Sequence, residues 1–481
     1  MSPAPDAQPP SRARRLLGGL RPWAAALLAL GIVAAAILVT RSSRVDSNQP
    51  AASTRDQTGP GSPAPPGRGA AHHRSRFVKT TLAVPRANGG GAFSSRHALT
   101  VPRGWRAEVW ARVGGARFEA WTPQGDLLVS APQAGQIWRL VPAAHAAAAP
   151  SMHLLVSGLS LPQGLAFDRL GGHEVLYVAE TGQVDRYVWN GNSLGARTVV
   201  AGHLPTGGAH PLKEVAIARD HTIYVDIGSA TNADPPANTR PPRAAVMAYA
   251  PDGGPGRVFA TGVRNGDGLS FAPDGSLWTA VNQRDQIAYP FHRPHGSASL
   301  AYGSVVQSYV NDHPPDELAR LTRGRNLGWP FCNPDPDLHP GQAGSRTSYA
   351  NMRFDADAQV NPGDSRLRCG RLPRIQRGVP AHSAPLGFHF LHHSKLPQRW
   401  ANGAVLAVHG SWDRVPPRPP AVLWLPWESK RRTLGPAISL MSGFQNPDGS
   451  RWGRPADAVA GPDGALYVSD DTAGAIYRVV P

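Results

Sequence analysis

The stretch ADAVAGPDGALYVSDDTAGAIYRV (residues 456–479) holds the pattern that decides the fold. An apolar run is followed by a Pro-Asp-Gly turn, a second apolar run, a polar turn and a third apolar run. An Asp-Gly pair suits a tight hairpin, because its glycine takes a positive φ at little cost. The stretch therefore predicts three short antiparallel strands joined by turns.

Five other parts of the chain repeat this pattern, at 116–140, 162–189, 213–229, 267–288 and 384–412. The first four of these units recur about every fifty residues, which is close to the length of a propeller blade. We therefore predict an all-β fold, a six-bladed β-propeller with four-stranded blades. A β-sandwich is the alternative, but it does not predict six similar units.

Composition agrees with a fold of short strands and many turns. The 481 residues include 52 Gly and 49 Pro, and 41% are hydrophobic, which is enough for a large core. The stretch 289–380 interrupts the repeats and is predicted to be an insertion that carries loops.

The N-terminal part differs from the repeats in its amino-acid composition. Residues 1–22 are basic and are predicted to be cytoplasmic, and 23–40 contain no charged residue. As a helix, eighteen residues nearly cross a bilayer core of about 30 Å, so we predict a transmembrane signal anchor there. A cleaved signal peptide is the alternative. Residues 41–97 are rich in Pro and Gly and are predicted to be a disordered linker, which leaves 98–481 for the propeller.

This arrangement predicts a protein anchored in a bacterial-type inner membrane, with its propeller in the periplasm. Residues 1–100 hold thirteen Lys or Arg and three Asp or Glu, so ten of the sixteen net positive charges lie there. No helix-turn-helix, zinc-finger or RNA-binding motif accompanies this charge. We interpret it as the positive flank of the anchor and a solvated linker, and we expect no nucleic-acid partner.

Two cysteines are present, Cys332 and Cys369. They are too few for a zinc or iron–sulfur site. In an exported domain they are expected to form a disulfide, with two unpaired buried thiols as the alternative.

Several strings, in this order along the chain, resemble the PQQ-dependent soluble aldose sugar dehydrogenases of the glucose/sorbosone dehydrogenase family, and the texture is closest to the sorbosone-dehydrogenase-like branch. They are GGAHPLKEVAIARDHTIYVDIGSATNADP (207–235), GVRNGDGLSFAPDGSLWTAVNQRD (262–285), NLGWPFC (326–332), HSAPLGFHF (382–390), GAVLAVHGSWDRVPP (403–417) and GRPADAVAGPDGALYVSDDTAGAIYRV (453–479). The resemblance implies a six-bladed propeller that holds pyrroloquinoline quinone (PQQ) beside calcium. It also implies oxidation of an aldose at its anomeric carbon to a lactone, in which a base takes the hydroxyl proton and the quinone takes a hydride.

The resemblance assigns the base to His210, because an imidazole with a pKa of about 6.5 suits proton abstraction near neutral pH. Lys213 stands where the family commonly has arginine, so it keeps the charge but loses the bidentate fork. Arg264 and Asn265 resemble the pair that contacts the quinone, and Arg264 would stabilise developing negative charge. Arg454 resembles an arginine that pairs with a PQQ carboxylate.

The other expected site residues are less closely tied to family motifs. Calcium would be held largely by main-chain carbonyls, at Arg284 and Asp285, and Gln283 stands where relatives commonly have glutamate. Gln163 is expected to line the substrate pocket. Trp412 is expected to stack on a flat ring, with a core-filling role as the alternative.

The chain lacks the sequence motifs of several other enzyme classes. No nucleotide-binding glycine fingerprint, nucleophile elbow or His-Glu-x-x-His motif is present. Paired carboxylates for glycoside hydrolysis cannot be recognised from sequence, because their pairing is spatial. A non-catalytic propeller that binds a carbohydrate or protein partner is the main alternative, and a calcium-dependent lactonase-type propeller is another. The expected partners are a sugar and an unidentified electron acceptor.

Overall fold

The computed structural model describes residues 76–145, 148–294 and 302–481. Within them, two short helices are α1 (Gln307–Val310) and α2 (Gln398–Ala401). The strands are β1 (Phe77–Thr81), β2 (Ala98–Pro102), β3 (Arg106–Arg112), β4 (Glu119–Trp121), β5 (Leu127–Ala131), β6 (Gln136–Val141), β7 (Ser151–Val156), β8 (Leu165–Leu170), β9 (His173–Ala179), β10 (Val184–Trp189), β11 (Leu194–Ala201), β12 (Lys213–Ile217), β13 (Ile223–Ile227), β14 (Ala245–Tyr249), β15 (Arg257–Thr261), β16 (Gly268–Phe271), β17 (Leu277–Val281), β18 (Asp316–Arg320), β19 (Arg325–Asn326), β20 (Cys332–Asp335), β21 (Ala350–Ala356), β22 (Ile375–Val379), β23 (Pro385–Phe390), β24 (Gly403–Val408), β25 (Ala421–Glu428), β26 (Thr433–Leu434), β27 (Ile438–Ser442), β28 (Pro455–Ala460), β29 (Leu466–Asp470) and β30 (Ala475–Val480).

These strands form six sheets, which we number I to VI. The first strand of a sheet is here the one that begins its run of consecutive strands, namely β4, β8, β12, β16, β23 or β28, and its second strand is the next in the chain. Sheets I and II are β4–β7 and β8–β11, sheet III is β12–β15 with β19, and sheet IV is β16–β18 with β20–β22. Sheet V joins β23–β27 with β1 and β2, and sheet VI joins β28–β30 with β3. The first strand of each sheet contacts the first strands of the two neighbouring sheets: β4, β8, β12, β16, β23 and β28 form a closed ring. The predicted all-β propeller is confirmed.

Only three sheets have the predicted four strands; the others have five, six and seven. One extra strand, β26, pairs with β25 inside sheet V, and the other five come from two parts of the chain. The insertion supplies β19 to sheet III and β20 and β21 to sheet IV, and the N-terminal segment supplies β1 and β2 to sheet V. The prediction of uniform blades was therefore wrong, because chain between the repeats can extend an open sheet edge by hydrogen bonding.

The strand β3 closes the ring, since it pairs antiparallel with β30 from Arg106 opposite Val480 to Arg112 opposite Ala475. The preceding β1 and β2 form a hairpin that attaches to β27 through Thr100 and Ser442. The predicted linker, 41–97, is thus corrected at its C-terminal end, where Phe77–Thr81 is a strand. The Pro- and Gly-rich composition of this part of the chain does not indicate a strand, and the strand is stabilised by its pairing with β2.

The second strands of the sheets are buried on both faces. In β5, Leu127 packs in one cluster with Tyr467, on sheet VI, whereas its neighbour Leu128 packs with Leu176, on sheet II. Because successive side chains of a strand point to opposite faces, each sheet shares its two faces with two neighbours.

The Asp-Gly turns have the conformation that the sequence predicts. Gly253, Gly275 and Gly464 have φ values of 87°, 80° and 81°. Gly275 closes the hairpin between β16 and β17, where its N–H donates to the carbonyl of Ala272. These glycines set the hairpin register and so position the ends of the strands.

The predicted segments 1–22 and 23–40 lie outside the described residues. Across 76–145, 148–294 and 302–481, none of the helices has the length and hydropathy needed to span a bilayer. The predicted disulfide is present: Cys332 is bonded to Cys369, with their Cα atoms 5.6 Å apart. It ties the start of β20 to a later turn of the insertion.

Candidate active site

One cavity of about 290 Å³ opens where the first strands of the sheets begin. Arg117, His210, Arg264, His382 and Arg454 line it, and each lies one to four residues before the first strand of a different sheet. Other lining residues follow second strands, which end where the first strands begin because the two are antiparallel. The propeller therefore brings chain segments far apart in sequence to one opening.

Most of the predicted site residues meet at this cavity. The lining includes His210, Arg264, Asn265, Asp285, Trp412 and Arg454. Three predicted residues are not part of the lining, namely Gln163, Lys213 and Arg284. Their positions are described below.

Hydrogen bonds fix the tautomer of His210. Its Nδ1 lies 3.1 Å from the carbonyl oxygen of Ser229 and 2.9 Å from the Ser229 Oγ. That hydroxyl donates its own hydrogen to the carbonyl of Thr231, at 2.7 Å, so both Ser229 oxygens act as acceptors toward His210. Nδ1 therefore carries the proton, and Nε2 carries a free lone pair.

The surroundings of His210 keep its ring neutral. Burial, followed by the positive charge of Arg264, lowers the pKa of His210 to about 3. Arg243 and Lys213 act in the same direction, and only the hydrogen bond to Ser229 opposes them. A neutral imidazole with an unprotonated Nε2 can accept a proton, but a pKa of about 3 makes this ring a weaker base in the apoprotein than the value of about 6.5 expected from the sequence.

Arg264 is buried and held on three sides. Its Nε donates to the carbonyl of Asn232 and its Nη1 to the carbonyl of Asn282, both at 3.1 Å. Its Nη2 donates to Asn232 Oδ1 at 2.8 Å and to Asp285 Oδ2 at 3.3 Å. These contacts fix a permanent positive charge beside His210.

A row of hydrogen bonds runs behind the lining from Asn265. Its Nδ2 donates to Asp267 Oδ2 at 2.7 Å, and Asp267 Oδ1 accepts from Gln163 Nε2 at 3.1 Å. Gln163 Oε1 in turn accepts from Arg117 Nε at 3.0 Å. Gln163, which the sequence places in the substrate pocket, is fully buried and orients Asp267 and Arg117, which do line the cavity.

The row continues from Arg117 to His409. Asp471 accepts from Arg117 Nη1 and from His409 Nε2, each at 2.8 Å. Burial lowers the pKa of His409 to about 4, so this ring is also neutral. Although burial opposes them, His409 and Arg117 hold the pKa of Asp471 below its usual value. The carboxylate of Asp471 thus fixes the orientation of a guanidinium in the cavity wall.

Arg454 has unused hydrogen-bonding capacity. Its Nε donates to the carbonyl of His409 at 2.9 Å. Its two terminal nitrogens have no hydrogen-bond or ion-pair partner within the described part of the chain. They face a cavity and are free to bind an anionic group.

Lys213 lies below the cavity rather than in its wall. The side chain is fully buried, and Nζ donates to the carbonyl of Pro211 at 2.7 Å. Burial lowers the pKa of Lys213 to about 8. Because β12 begins at this residue and its side chain points inward, Lys213 supports the loop that carries His210.

The predicted calcium segment is divided between the cavity and the insertion. Arg284 points away from the cavity, where it pairs with Asp357 and donates to Gln359 Oε1 at 2.9 Å. The carbonyl of Asp285 accepts from Asn232 Nδ2 at 2.9 Å, so a protein donor already occupies one of the predicted carbonyl ligands.

Gln283 is also directed away from the cavity, because its Nε2 donates to Glu317 Oε1 at 2.8 Å. The presence of glutamine instead of the family's glutamate at position 283 therefore removes no negative charge from the cavity lining. The side chain of Asp285 does face the cavity and offers carboxylate oxygens, which a hard cation prefers. Burial raises the pKa of this carboxyl group, although Arg264 opposes the shift.

Trp412 stands at the edge of the cavity with 69% of its surface exposed. This exposure excludes the core-filling alternative. An exposed indole face beside a polar cavity suits stacking against the apolar face of a sugar or another flat ring.

Sequence reasoning missed Arg117, His382, His409 and Asp471. A positional signal could have found them, since Arg117 and His382 precede first strands, and His409 and Asp471 directly follow second strands. Comparing equivalent positions of the six units would have marked them as rim residues.

Comparisons with known proteins agree with this architecture. The family model described as TrAA12-like matches residues 99–481. An uncharacterized protein of Borreliella burgdorferi is 29% identical over 202 residues, which are 42% of this chain and 48% of that protein. The chain thus aligns with about half the length of this curated relative.

Two solved structures have the same fold. The iodide structure of the Trichoderma reesei carbohydrate-active enzyme of family AA12 has a TM-score of 0.64 and 21% identity, covering 79% of this chain and 96% of that chain. The holo form of the PQQ domain of a pyranose dehydrogenase from Coprinopsis cinerea has a TM-score of 0.65 and 18% identity, covering 83% and 100%. At these identities the likeness is one of fold.

Proposed function

Because the chain belongs to the TrAA12-like family, we propose that its cavity binds PQQ and oxidises a sugar. The observation that carries the proposal is the meeting of a neutral histidine, His210, with Arg264 and Arg454 at one cavity. Sugar oxidation by a quinone requires a base for the hydroxyl proton and cations for an anionic cofactor. The shared fold with the PQQ domain of a pyranose dehydrogenase supports this assignment.

The residues present fit a planar tricarboxylate. The free terminal nitrogens of Arg454 suit a carboxylate, and Arg117 presents a second guanidinium held in place by Asp471. The cavity of about 290 Å³ lies at the lower end of the volumes that small-molecule sites span. When bound, PQQ supplies the acceptor for the hydride of the anomeric carbon, and the aldose leaves as a lactone.

The protein supplies the proton transfer and the positioning. His210 Nε2 accepts the proton of the anomeric hydroxyl, while its Nδ1–H stays bonded to Ser229. Arg264 stabilises the negative charge that develops on oxygen as this proton leaves. Trp412 packs against the ring of the sugar at the edge of the cavity.

Calcium is proposed at the side of the cavity that Asp285 faces. Its carboxylate offers anionic oxygens there, and main-chain carbonyls of the neighbouring residues would complete the oxygen ligands. The AA12 enzyme of Trichoderma reesei also has a calcium structure.

The test is reconstitution of the purified protein with PQQ and calcium, followed by dye reduction across a panel of aldoses. We expect dye reduction to require both PQQ and a sugar and to fall when calcium is chelated. Binding of PQQ without dye reduction for any sugar would contradict catalysis. Absence of PQQ binding would contradict the whole assignment.

We expect Arg454→Gln to weaken PQQ binding by about tenfold to a hundredfold, because a charge-assisted hydrogen bond contributes about 1.5–3 kcal/mol. Titration of the apoprotein with PQQ, followed by fluorescence or calorimetry, measures this. Arg431→Gln is the matched control, since the Arg431 side chain is 79% exposed and lies in the turn between β25 and β26, outside the cavity lining. Equal PQQ affinity in the two variants would remove Arg454 from the cofactor site.

A second prediction concerns Gly228, which packs against His210 and Asn265. A Cβ at this position would lie 2.6 Å from the His210 Cβ and 2.8 Å from Asn265 Oδ1. We expect Gly228→Ala to displace both side chains and lower kcat at least about tenfold, because small misplacements of reacting groups are costly. Gly114→Ala is the control, as no heavy atom lies within 4 Å of its Cβ position. Unchanged kcat in Gly228→Ala would show that the close packing does not position His210.

A non-catalytic propeller that binds a carbohydrate or protein partner is the second candidate, and the exposed Trp412 favours it. Sugar binding with no dye reduction in the reconstitution experiment would support this function. The disulfide between Cys332 and Cys369 supports a location outside the reducing cytoplasm. We accordingly propose a periplasmic propeller, and the membrane anchor at 23–40 stays a prediction.

A further inference from the structure

A second cluster of ionisable side chains lies in the insertion, away from the proposed PQQ cavity. His313 follows α1, Asp335 is the last residue of β20, and Asp337 follows two residues later. The three side chains are only 3–6% exposed. One nitrogen of His313 and one oxygen of each carboxylate all lie within 4.8 Å of one another.

The imidazole of His313 is oriented toward the two carboxylates. Its Nδ1 donates to the carbonyl of Tyr309 at 3.0 Å, and its ring stacks on the Tyr309 ring with 4.0 Å between centroids. Nε2 is buried and has no hydrogen-bond partner among the described residues. A histidine that binds a metal commonly donates its other ring N–H to a carbonyl in this way.

The separations suit an ion between the three groups better than a direct contact. Nε2 of His313 lies 3.7 Å from Asp335 Oδ1 and 3.5 Å from Asp337 Oδ2, which is longer than a good hydrogen bond. Bonds of about 2.0–2.2 Å to a tetrahedral ion place neighbouring ligand atoms about 3.3–3.6 Å apart.

We propose that His313, Asp335 and Asp337 bind a divalent first-row transition metal, for which zinc is the best chemical match. One imidazole and two carboxylates suit such an ion, whereas calcium takes six to eight oxygen ligands. The role of the ion is structural, since all three ligands are buried within the insertion.

The surrounding charges favour a dication. Arg353 Nη2 lies 2.5 Å from Asp335 and 3.3 Å from Asp355. The carboxylates of Asp335 and Asp337, which face Nε2 of His313, carry two negative charges, and one dication neutralises them. Arg353 contacts Oδ2 of Asp335, so Oδ1 of the same carboxylate still faces His313.

The ion would also connect the insertion to the cavity wall. The carbonyl of His313 accepts from His382 Nε2 at 3.1 Å, and His382 lines the PQQ cavity. The proposal itself does not depend on the function of that cavity, because its measurements need neither PQQ nor a sugar.

The test uses the full chain without a histidine tag, with zinc chloride as the probe and calcium present throughout. We expect about one zinc per chain after dialysis, and a Tm that rises by about 3 °C when zinc is a hundredfold above its Kd. In chelator-treated protein, cobalt(II) should give the visible absorption of a tetrahedral site. Asp337→Asn and His313→Gln should each weaken zinc binding at least tenfold.

His221→Gln is the matched control, because its Nδ1 also contacts a carboxylate, Asp168 Oδ2 at 2.7 Å, but lacks a third ligand. It should keep the zinc content and the Tm shift of the wild type. Wild-type protein that retains less than about a tenth of an equivalent of zinc, with no Tm shift, overturns the proposal. His313 would then be an imidazolium paired with the two carboxylates, which raise its pKa to about 9 against the effect of burial. Zinc uptake by both variants equal to that of the wild type also overturns it.

Discussion

His210→Ala is expected to lower kcat by about a thousandfold, while PQQ affinity changes by no more than about twofold. The variant removes the nitrogen that takes the hydroxyl proton but leaves Arg264, Arg117 and Arg454 in place. The loss should appear in kcat because proton transfer is part of the chemical step, not of sugar binding. Steady-state dye reduction on the reconstituted variant, with a separate PQQ titration, measures both quantities.

His153→Ala is the control for this result, since His153 is exposed on β7, the outermost strand of sheet I, and does not line the cavity. It should keep the wild-type kcat. If His210→Ala had the same kcat as this control, His210 would not be the base. If the variant lost PQQ affinity by as large a factor as it lost kcat, His210 would act by binding the cofactor instead.

The same histidine gives the apoprotein a pH-dependent stability. The native pKa of His210 is about 3, while the unfolded chain has the usual value near 6.5. Between about pH 3 and about pH 6.5, the unfolded chain binds a proton at this histidine that the native chain does not, so the free energy of unfolding falls as pH falls. From pH 7 to pH 5 we expect His210 to contribute a decrease of about 2 kcal/mol, which His210→Ala should abolish. Urea unfolding at the two pH values measures it, and an unchanged difference in the variant would mean that His210 is not buried in its neutral form.

Arg264→Lys is expected to lower kcat/KM by about a hundredfold to a thousandfold, the loss seen when one preorganised electrostatic donor is removed. Lysine keeps the positive charge but cannot reproduce the three-sided contacts to Asn232, Asn282 and Asp285. The charge would then no longer be fixed beside the reacting oxygen. Dye reduction at low sugar concentration measures kcat/KM directly.

Stability must be separated from activity in this experiment, because Arg264 is buried. Losing its contacts leaves buried acceptors unpaired and should lower the free energy of unfolding by about 1–3 kcal/mol. Arg139→Lys provides the comparison, since Arg139 Nε also pairs with a carboxylate, Asp126 Oδ2 at 2.6 Å, but on sheet I away from the cavity. It should lose stability without losing kcat/KM. Equal kcat/KM in Arg264→Lys and the wild type would limit Arg264 to a structural role.

Whether a site residue could be predicted depends on whether it lies in a stretch of sequence with a family pattern. His210, Arg264, Asn265 and Arg454 lie in strings with a family pattern, and all four line the cavity. Lys213 lies in such a string as well, but its side chain points below the cavity. A string fixes a residue's place along a strand, whereas the strand's packing decides which way the side chain points.

The repeats determined the propeller without help from tertiary information. Short apolar runs and Asp-Gly turns, such as those at Gly275 and Gly464, act over a few residues, so their conformations can be read directly from the chain. With only two cysteines, the sequence likewise allows at most one disulfide bond within the chain. The strand Phe77–Thr81 was missed because it depends on pairing with β2 and not on its own pattern.

Only the tertiary structure decided which polar side chains share a site. Arg117 and Asp471 are 354 positions apart and meet because β3 closes the ring against β30. His313 and Asp337 likewise meet only after the insertion folds back upon itself. Local sequence specifies torsion angles and strand ends, but the distance between two side chains on different sheets depends on how those sheets pack around a common axis.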